Sequence, residues 1–256
     1  MCLISFAWQQ DKQYPLILAA NRDEFYERPT QRAHWWEDHP HIFAGRDLKG
    51  GGTWMGANAK GYWAALTNYR EVPGFMPDAP SRGPLVSDYL RDSPDPEAYL
   101  KQLEEHADVY NGFNLLLGTP DAVWYFANRE AVKPQKLAPG FYGLSNQILD
   151  TPWPKVVGVK DAMETIVPRS GPDKEALFGM LQNREIAPDD ALPQTGVSLE
   201  WERMLSARFI QSEAYGTRVS TFMRLDQDAQ LYVEERAYVP EGAPVYANIQ
   251  PNNITA

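Results

Sequence analysis

The only cysteine of this sequence, Cys2, combines a residue type and a position that can support covalent catalysis. Cysteine is small enough for methionine aminopeptidases to remove the Met before it, which would leave a free α-amine on the residue that carries the thiol. The amine has a reference pKa of about 7.7 to 8.0 and the thiol one of about 8.5, so the amine can act as a general base near neutral pH. One residue would then supply both nucleophile and base. The alternative interpretation is a small, buried strand residue with no chemical role.

The pairing of the first two strands determines which side chains lie beside Cys2. Two apolar runs, residues 2–8 and 15–20, predict a β-hairpin that is buried on both faces. A turn centred on residues 11–12 sets Cys2 opposite Asn21 and brings the thiol close to the charged residues that follow. If the Cys2 amine is free, proximity to Arg22 or Arg218 and to the ammonium group favours the thiolate, so we then expect the pKa of the Cys2 thiol to lie below that of a model thiol.

Hydrophobic patterning predicts the other elements. Apolar runs around turn formers predict three more hairpins, at residues 53–57 with 62–68, 113–118 with 122–127, and 219–226 with 230–239. Helices are predicted at residues 96–109, 155–167 and 172–183, and a long loop rich in Pro and Asp at 184–199. Antiparallel hairpins mixed with helices predict an α+β fold with the helices packed outside the sheets. No linker rich in Gly or Ser divides the chain, so we expect one domain over residues 1–256.

Composition and charge exclude several classes of function. The formal net charge is -10 and no run of Lys or Arg is present, so no nucleic-acid partner is expected. No apolar run is long enough to span a membrane and the first residues do not form a signal peptide, so we expect no membrane insertion and a cytoplasmic location. A single cysteine excludes an intramolecular disulfide and a thiolate metal cluster.

Three histidines, His34, His39 and His41, lie close to Glu37 and Asp38 in the sequence and are the strongest candidates for metal ligands. Their spacing matches no standard helical or knuckle ligand set. We therefore predict a solvated loop at this segment, with no metal site and no resident cofactor.

Short motifs spread over nearly the whole chain carry a family resemblance. They read NRDEFYERPT from residue 21, GRD from 45, GGTW from 51, TNYR from 67, SRG from 81, GLSN from 143, WPK from 153 and GTR from 216. In this order they resemble the NRDE family, also called the Transport and Golgi organisation protein 2 family. The resemblance implies a four-layer α/β/β/α sandwich of antiparallel sheets, similar to that of N-terminal-nucleophile hydrolases. The nearest analogy is the choloylglycine hydrolase and penicillin V acylase group, which cleaves amides with an N-terminal cysteine.

The same analogy implies roles for individual residues. Cys2 would be the nucleophile, Asp23 would orient its amine, and Asn68 would donate a hydrogen bond to an oxyanion. Asn146 would donate to the substrate or to the amine, and Arg218 would be the late arginine near the nucleophile. The positions expected to bind substrate are Asn21, Arg22 and Arg208, the last of which competes with Arg218 for the late arginine's place.

One departure from the acylase pattern concerns the arginine that precedes the aspartate. The pattern has an arginine three residues before the aspartate, where this sequence has Ala20, whereas here the arginine is Arg22, directly before Asp23. We expect this change of phase along the strand to point the Arg22 side chain to the opposite face and so to weaken catalysis.

The sequence leaves two functions open. The first is a cysteine amidohydrolase that acts on a small amide through Cys2. The second, which the family resemblance implies, is a non-enzymatic protein on the same scaffold that binds and traffics haem or a lipid such as an acyl-CoA. In both cases the partner is a small molecule. Haem would be a ligand and not a resident cofactor, since the chain has no Cys-x-x-Cys-His motif.

Overall fold

The computed structural model describes residues 2–71, 74–170 and 173–251, apart from the side chains of residues 169–170. Antiparallel strands form two sheets at its centre. The first sheet contains β1 (Cys2–Trp8), β2 (Leu16–Phe25), β10 (Gly140–Leu144), β11 (Tyr215–Leu225), β12 (Leu231–Tyr238) and β13 (Glu241–Ile249), in the order β10-β1-β2-β11-β12-β13. The second contains β3 (Thr30–Trp35), β4 (Ile42–Asp47), β5 (Met55–Asn58), β6 (Trp63–Asn68), β7 (Phe113–Thr119), β8 (Ala122–Ala127) and β9 (Gln135–Lys136), in sequential order.

Helices cover the outer face of each sheet. The helices of the described residues are α1 (Gly83–Asp92), α2 (Pro96–Glu104), α3 (Pro154–Ser170), α4 (Lys174–Leu181) and α5 (Leu199–Ser206). Apolar residues of α1 and α2 pack on the second sheet, those of α3 and α4 pack on the first, and a third apolar cluster fills the space between the sheets. The predicted α+β fold, a four-layer α/β/β/α sandwich, is therefore confirmed.

Strand β1 illustrates how the sequence produces these layers. Successive strand residues point to opposite faces, and here both faces are apolar. Ile4 and Phe6 belong to the cluster between the sheets, whereas Leu3 and Ala7 belong to the cluster under α3 and α4. A strand that is buried on both faces has a continuous apolar sequence, and the apolar run at residues 2–8 predicts such a strand.

The four predicted hairpins and the three predicted helices are all present, but some of their ends differ. The helix predicted over residues 96–109 ends at Glu104, with a separate 3-10 turn at Ala107–Val109, and β2 continues to Phe25. The segment of the histidines differs from its prediction, because His34 lies within β3 and not in a loop. Helix α1 was not predicted, and its first turn explains why. Arg82 stands at its N-cap and makes no side-chain capping bond, whereas α2 begins with the readable signal of Asp95 capping Ala98. None of the helices in the described ranges is long and apolar enough to cross a membrane.

Candidate active site

Cys2 begins β1 directly opposite Arg22 of β2. The predicted partner was Asn21, so the predicted register is wrong by one residue. The turn is longer than the sequence indicated. Gln9 adopts a left-handed φ of 52° and its N–H donates to the Pro15 carbonyl, so the loop closes around residues 9–15.

The two faces of β2 present different side chains to the two layers beside it. Ala20 and Arg22 lie on the same face as Cys2 and line a small cavity between the sheets together with it. Asn21 and Asp23 alternate with them and point towards the helices over the first sheet. The expectation that Arg22 points away from the face of position 20 is therefore wrong, because strand residues two apart share a face.

A cleft of about 780 Å³ opens at this end of the sandwich. Cys2, Arg22, Asp23 and Asn68 all contribute to its lining, together with Trp54. The structure thus brings four of the predicted site residues to one cavity that is large enough for a small organic molecule.

Arg22 is buried without a hydrogen bond. The residue is 6% exposed and its guanidinium stacks on Trp54, with 4.2 Å between Cζ and the ring centre. The nearest charge is Glu24, with 3.8 Å between Arg22 Nη2 and Glu24 Oε2, which is too long for a hydrogen bond. Among the residues that the structure describes, Arg22 donates no side-chain hydrogen bond. Its N–H groups are therefore available to oxygen atoms of a ligand.

Asn68 and Asn146 are linked by a hydrogen bond at the edge of the cleft. Asn146 Nδ2 donates to the Asn68 carbonyl at 2.8 Å, and Ser145 Oγ lies 3.1 Å from the Cys2 carbonyl oxygen and 3.2 Å from Asn146 Oδ1. Within the described ranges the Asn68 side chain makes no hydrogen bond, so its amide can donate to an oxyanion. Asn146 is fully buried and does not belong to the lining of the cleft.

Asp23 is a buried carboxylate on the helix side of β2. It is 1% exposed, and its Oδ1 accepts a hydrogen bond of 2.7 Å from Thr217 Oγ1. Burial raises the pKa of Asp23, and the positive charge of Lys155 is the largest influence that opposes this rise.

The Cys2 thiol is in an environment that favours its neutral form. Cys2 is half-buried, and burial together with the negative charge of Asp23 raises the pKa of the thiol, although Arg22 acts in the opposite direction. The expected lowering concerns a Cys2 with a free α-amine and stays a prediction. A thiol of this kind needs a base at the moment of reaction.

Lys155, Arg70 and Glu202 form a buried charged group behind Asp23 that the sequence did not predict. Arg70 Nη1 lies 2.9 Å from Glu202 Oε2, with both side chains more than nine-tenths buried. Burial lowers the pKa of Lys155 to about 8. Lys155 and Arg70 lie in the WPK and TNYR motifs that carried the family resemblance, so the signal was present, but no role could be attached to it.

Besides Asn146, three predicted residues do not reach the lining of the cleft: Asn21, Arg208 and Arg218. The Asn21 amide donates to the Leu181 and Arg208 carbonyls at 3.0 and 2.7 Å, so it joins β2 to the helix layer. Arg208 lies over α3, where its guanidinium fills the space beside Gly158. Arg218 Nε donates to the Val239 carbonyl at 3.1 Å, and Nη1 donates to the carbonyls of Phe25, at the end of β2, and Arg28. Their side chains thus hold the chain around the cleft.

No metal centre is evident in the part of the chain that the structure describes, where no three His, Cys, Asp or Glu side chains gather as ligands would. His34 Nδ1 lies 2.7 Å from the Arg32 carbonyl, and His41 Nε2 lies 3.1 Å from the Arg91 carbonyl. These histidines therefore have structural partners.

Comparison with known sequences identifies full-length relatives. A family model described as Transport and Golgi organisation 2 matches residues 1–240. A mouse protein named Transport and Golgi organization 2 homolog is 37% identical, covering 93% of each chain. The human homolog is 38% identical and also covers 93% of each chain.

Comparison with solved structures identifies hydrolases at low sequence identity. A mutant of the conjugated bile acid hydrolase from Clostridium perfringens has a TM-score of 0.55 at 8% identity, covering 100% of this chain and 94% of the other. Penicillin V acylase from Agrobacterium tumefaciens has a TM-score of 0.54 at 12% identity, covering 97% of this chain and 86% of the other. At these identities the likeness shows the fold alone, which is that of the N-terminal-nucleophile hydrolases.

Proposed function

Because the chain belongs to the Transport and Golgi organisation 2 family and has an N-terminal-nucleophile hydrolase fold, we propose that it is a cysteine amidohydrolase acting on a small amide through Cys2. The observation that carries the proposal is the cleft at Cys2. Cys2 lines it beside Asn68 and Arg22, two side chains whose donors have no hydrogen-bond acceptor among the described residues. Removal of Met1 would add the α-amine of Cys2 to this group.

The first half of the reaction forms a thioester. The α-amine accepts the thiol proton as Sγ attacks the carbonyl carbon of the amide, and the carbonyl electron pair moves to its oxygen. The Asn68 amide donates to this oxyanion, with Arg22 as a second donor on the same side. Collapse of the tetrahedral intermediate breaks the C–N bond, and the leaving nitrogen takes the proton from the ammonium of Cys2.

The second half of the reaction regenerates the thiol. The α-amine, now neutral, accepts a proton from water as the water oxygen attacks the thioester carbon. The C–S bond breaks, the acid leaves, and Sγ recovers the proton from the ammonium. Asp23 accepts a hydrogen bond from the amine throughout and so fixes its orientation.

A second candidate function is the binding and trafficking of haem or of a lipid such as an acyl-CoA, without hydrolysis. The lining of the cleft favours it as a specific observation. Arg22 and Arg82 supply positive charge, whereas Arg28 is already paired with Asp47 at 2.8 Å, and Trp54 and the exposed Phe75 supply aromatic surface. A ligand with an anionic group and an apolar body would satisfy both. A cytoplasmic location belongs to either proposal, since a reducing compartment keeps an accessible thiol free.

The two candidates are separated by paired assays on wild type and Cys2→Ala. Protein expressed without an N-terminal tag is first weighed by intact mass to establish that Met1 has been removed. Turnover of a panel of N-acyl amino acids and phenoxyacetyl amides is expected for wild type and should fall by about three orders of magnitude or more in Cys2→Ala.

Titration with haem and with an acyl-CoA serves as the second assay. Saturable binding of equal strength in both proteins, without turnover in either, would reject the amidohydrolase and leave the carrier. Retention of Met1 on the purified protein would reject the mechanism with the α-amine as base.

A further inference from the structure

Lys155 is a buried cation for which the mechanism above has no role. It is the second residue of α3 and its side chain is 3% exposed. The first turn of α3 lies unusually close to the first sheet, since a Cβ on Gly143 would come within 2.8 Å of Val156 Cγ1. This close packing encloses the Lys155 side chain between the helix and the end of the sheet that carries Cys2.

The Lys155 Nζ is buried and, within the described part of the chain, has no hydrogen-bond partner. A buried ammonium without hydrogen bonds is costly, so its retention calls for a functional or electrostatic reason. The titratable groups around it are Asp23 on β2, Cys2 on β1, Arg70 after β6 and Glu202 on α5.

Asp23 is the counter-charge of Lys155. Arg70 and Glu202 already pair with each other at 2.9 Å. The Asp23 carboxylate is the strongest influence that raises the pKa of Lys155, and Lys155 is the strongest influence that lowers the pKa of Asp23. On the outer side, Arg208 and Glu185 share with Lys155 a cavity of about 210 Å³.

This arrangement matters for an α-amine placed beside Asp23. A lone buried carboxylate would hold that amine as an ammonium ion, and an ammonium ion cannot act as a base. A second cation at the same carboxylate disfavours the ammonium form, because two like charges would then share one counter-charge.

We propose that Lys155 is a positioning residue of the reaction centre: its ammonium neutralises Asp23 and thereby keeps the α-amine of Cys2 unprotonated, ready to accept the thiol proton. The inference rests on the proposed function, since it assigns a state to the base of that reaction. No proton moves to or from Lys155 during attack. The thiol proton goes to the amine nitrogen, and Sγ forms its bond to the carbonyl carbon.

The pH profile of the reaction tests the proposal. In Lys155→Met the acid limb of kcat/KM is expected to move to higher pH by about one unit or more, because loss of a nearby cation lets the amine hold its proton. Lys155→Arg keeps the charge and should keep the limb in place. Lys160→Met is the matched control, since Lys160 lies on the same helix and pairs with Asp150 at 3.0 Å, away from Cys2. An unmoved limb in Lys155→Met would overturn the proposal.

A second measurement separates failure of this inference from failure of the proposed function. In protein with ¹³C-labelled lysine, NMR titration should find Lys155 with a pKa of about 8, and Asp23→Asn should lower it further. A Lys155 pKa that is the same in Asp23→Asn as in wild type would reject the inference, whether or not there is turnover, because Lys155 would then not be the counter-charge of Asp23. Where amides are not hydrolysed, the acid limb of Cys2 alkylation by iodoacetamide replaces kcat/KM, with the same expected shift. Should Lys155→Met not fold, the titration of Lys155 in wild type and in Asp23→Asn still decides the question.

Discussion

The two ends of the sandwich carry cavities of similar size but of different chemistry. The cleft at Cys2 has a volume of about 780 Å³, and the cavity formed by the turns at the other end has about 600 Å³. Acidic side chains line both. The ends differ in what their polar groups are bonded to, and volume alone would not tell them apart.

At the turn end, the carboxylates are used by the backbone. Asp11 Oδ1 accepts hydrogen bonds from the N–H groups of Gln13 and Tyr14, and Asp226 Oδ1 accepts from those of Asp228 and Gln230. Such bonds are the ordinary function of aspartate in turns.

At the Cys2 end, several polar groups are buried or half-buried without a hydrogen-bond partner among the described residues. They are the guanidinium of Arg22, the amide of Asn68 and the ammonium of Lys155. A buried polar group without a hydrogen bond lowers the stability of the folded protein, and such groups cluster at functional sites. The comparison therefore predicts that substitutions at the Cys2 end have large effects and those at the turn end small ones.

The largest expected effect is on stability, at the ion pair of Arg70 and Glu202 behind the cleft. Arg70→Met leaves the Glu202 carboxylate buried without its cation, which should lower the free energy of unfolding by about 3 to 5 kcal/mol. Arg203→Met is the control, since Arg203 pairs with Asp189 at 2.5 Å but both side chains are about half exposed. Urea denaturation measures both variants. Equal losses in the two would mean that the Arg70 pair is hydrated and that the Cys2 end is not a dry environment.

The next largest effect is on the free energy of unfolding, which should depend on pH because Lys155 titrates differently in the folded and unfolded chains. Its pKa is about 8 in the folded chain and about 10.4 in the unfolded chain, so between these values the unfolded chain binds more protons. The free energy of unfolding contributed by Lys155 therefore rises with pH across this window, by about 2 kcal/mol between pH 8 and pH 10.

Comparison with Lys155→Met isolates this contribution, because the other titrating groups are common to both proteins. The difference in unfolding free energy between wild type and Lys155→Met should change in favour of wild type as the pH rises from 8 to 10. A difference that stays constant would place the ammonium of Lys155 in contact with water.

A smaller effect is expected for the charge that Arg22 presents to the cleft. Iodoacetate and iodoacetamide are of similar size and differ in charge, so the ratio of their rates with Cys2 reports the local potential. Arg22→Met should lower this ratio about tenfold, which corresponds to about 1.4 kcal/mol. Arg46→Met is matched to it, since Arg46 also stacks on a tryptophan, 3.9 Å above Trp36, but on the second sheet. If the ratio falls equally in both variants, Arg22 does not contribute specifically to the potential at Cys2.

Much of this molecule could be predicted from local patterns. Three features depend only on residues that are close together in the sequence. They are the apolar run of β1, the turn formers between β5 and β6, and the Asp95 cap of α2. The family resemblance that the motifs carry likewise placed Cys2, Asp23 and Asn68 together, because a resemblance implies a fold.

What the sequence could not supply depends on contacts between distant segments. The register of β1 on β2 depends on the conformation of Gln9, and the face of Arg22 depends on a strand continuing to Phe25. Lys155 approaches Asp23 only because Gly143 lets α3 lie close to the sheet. No pattern local to any of these residues contains that information.

The smallest expected effect is at the turn end, and it completes the comparison. Asp226→Ala removes the acceptor of two backbone N–H groups at the surface, each with a hydrogen bond of 2.9 Å. Water can replace part of what is lost, so the free energy of unfolding should fall by only about 1 kcal/mol. Asp226→Asn keeps an Oδ1 acceptor and should cost less still. The alkylation rate of Cys2 should be unchanged in both, because Asp226 follows the far end of β11, beyond Leu225 where that strand pairs with Leu16. An altered rate would mean that the two ends communicate through the first sheet, and the turn cavity would then have to be treated as part of the site.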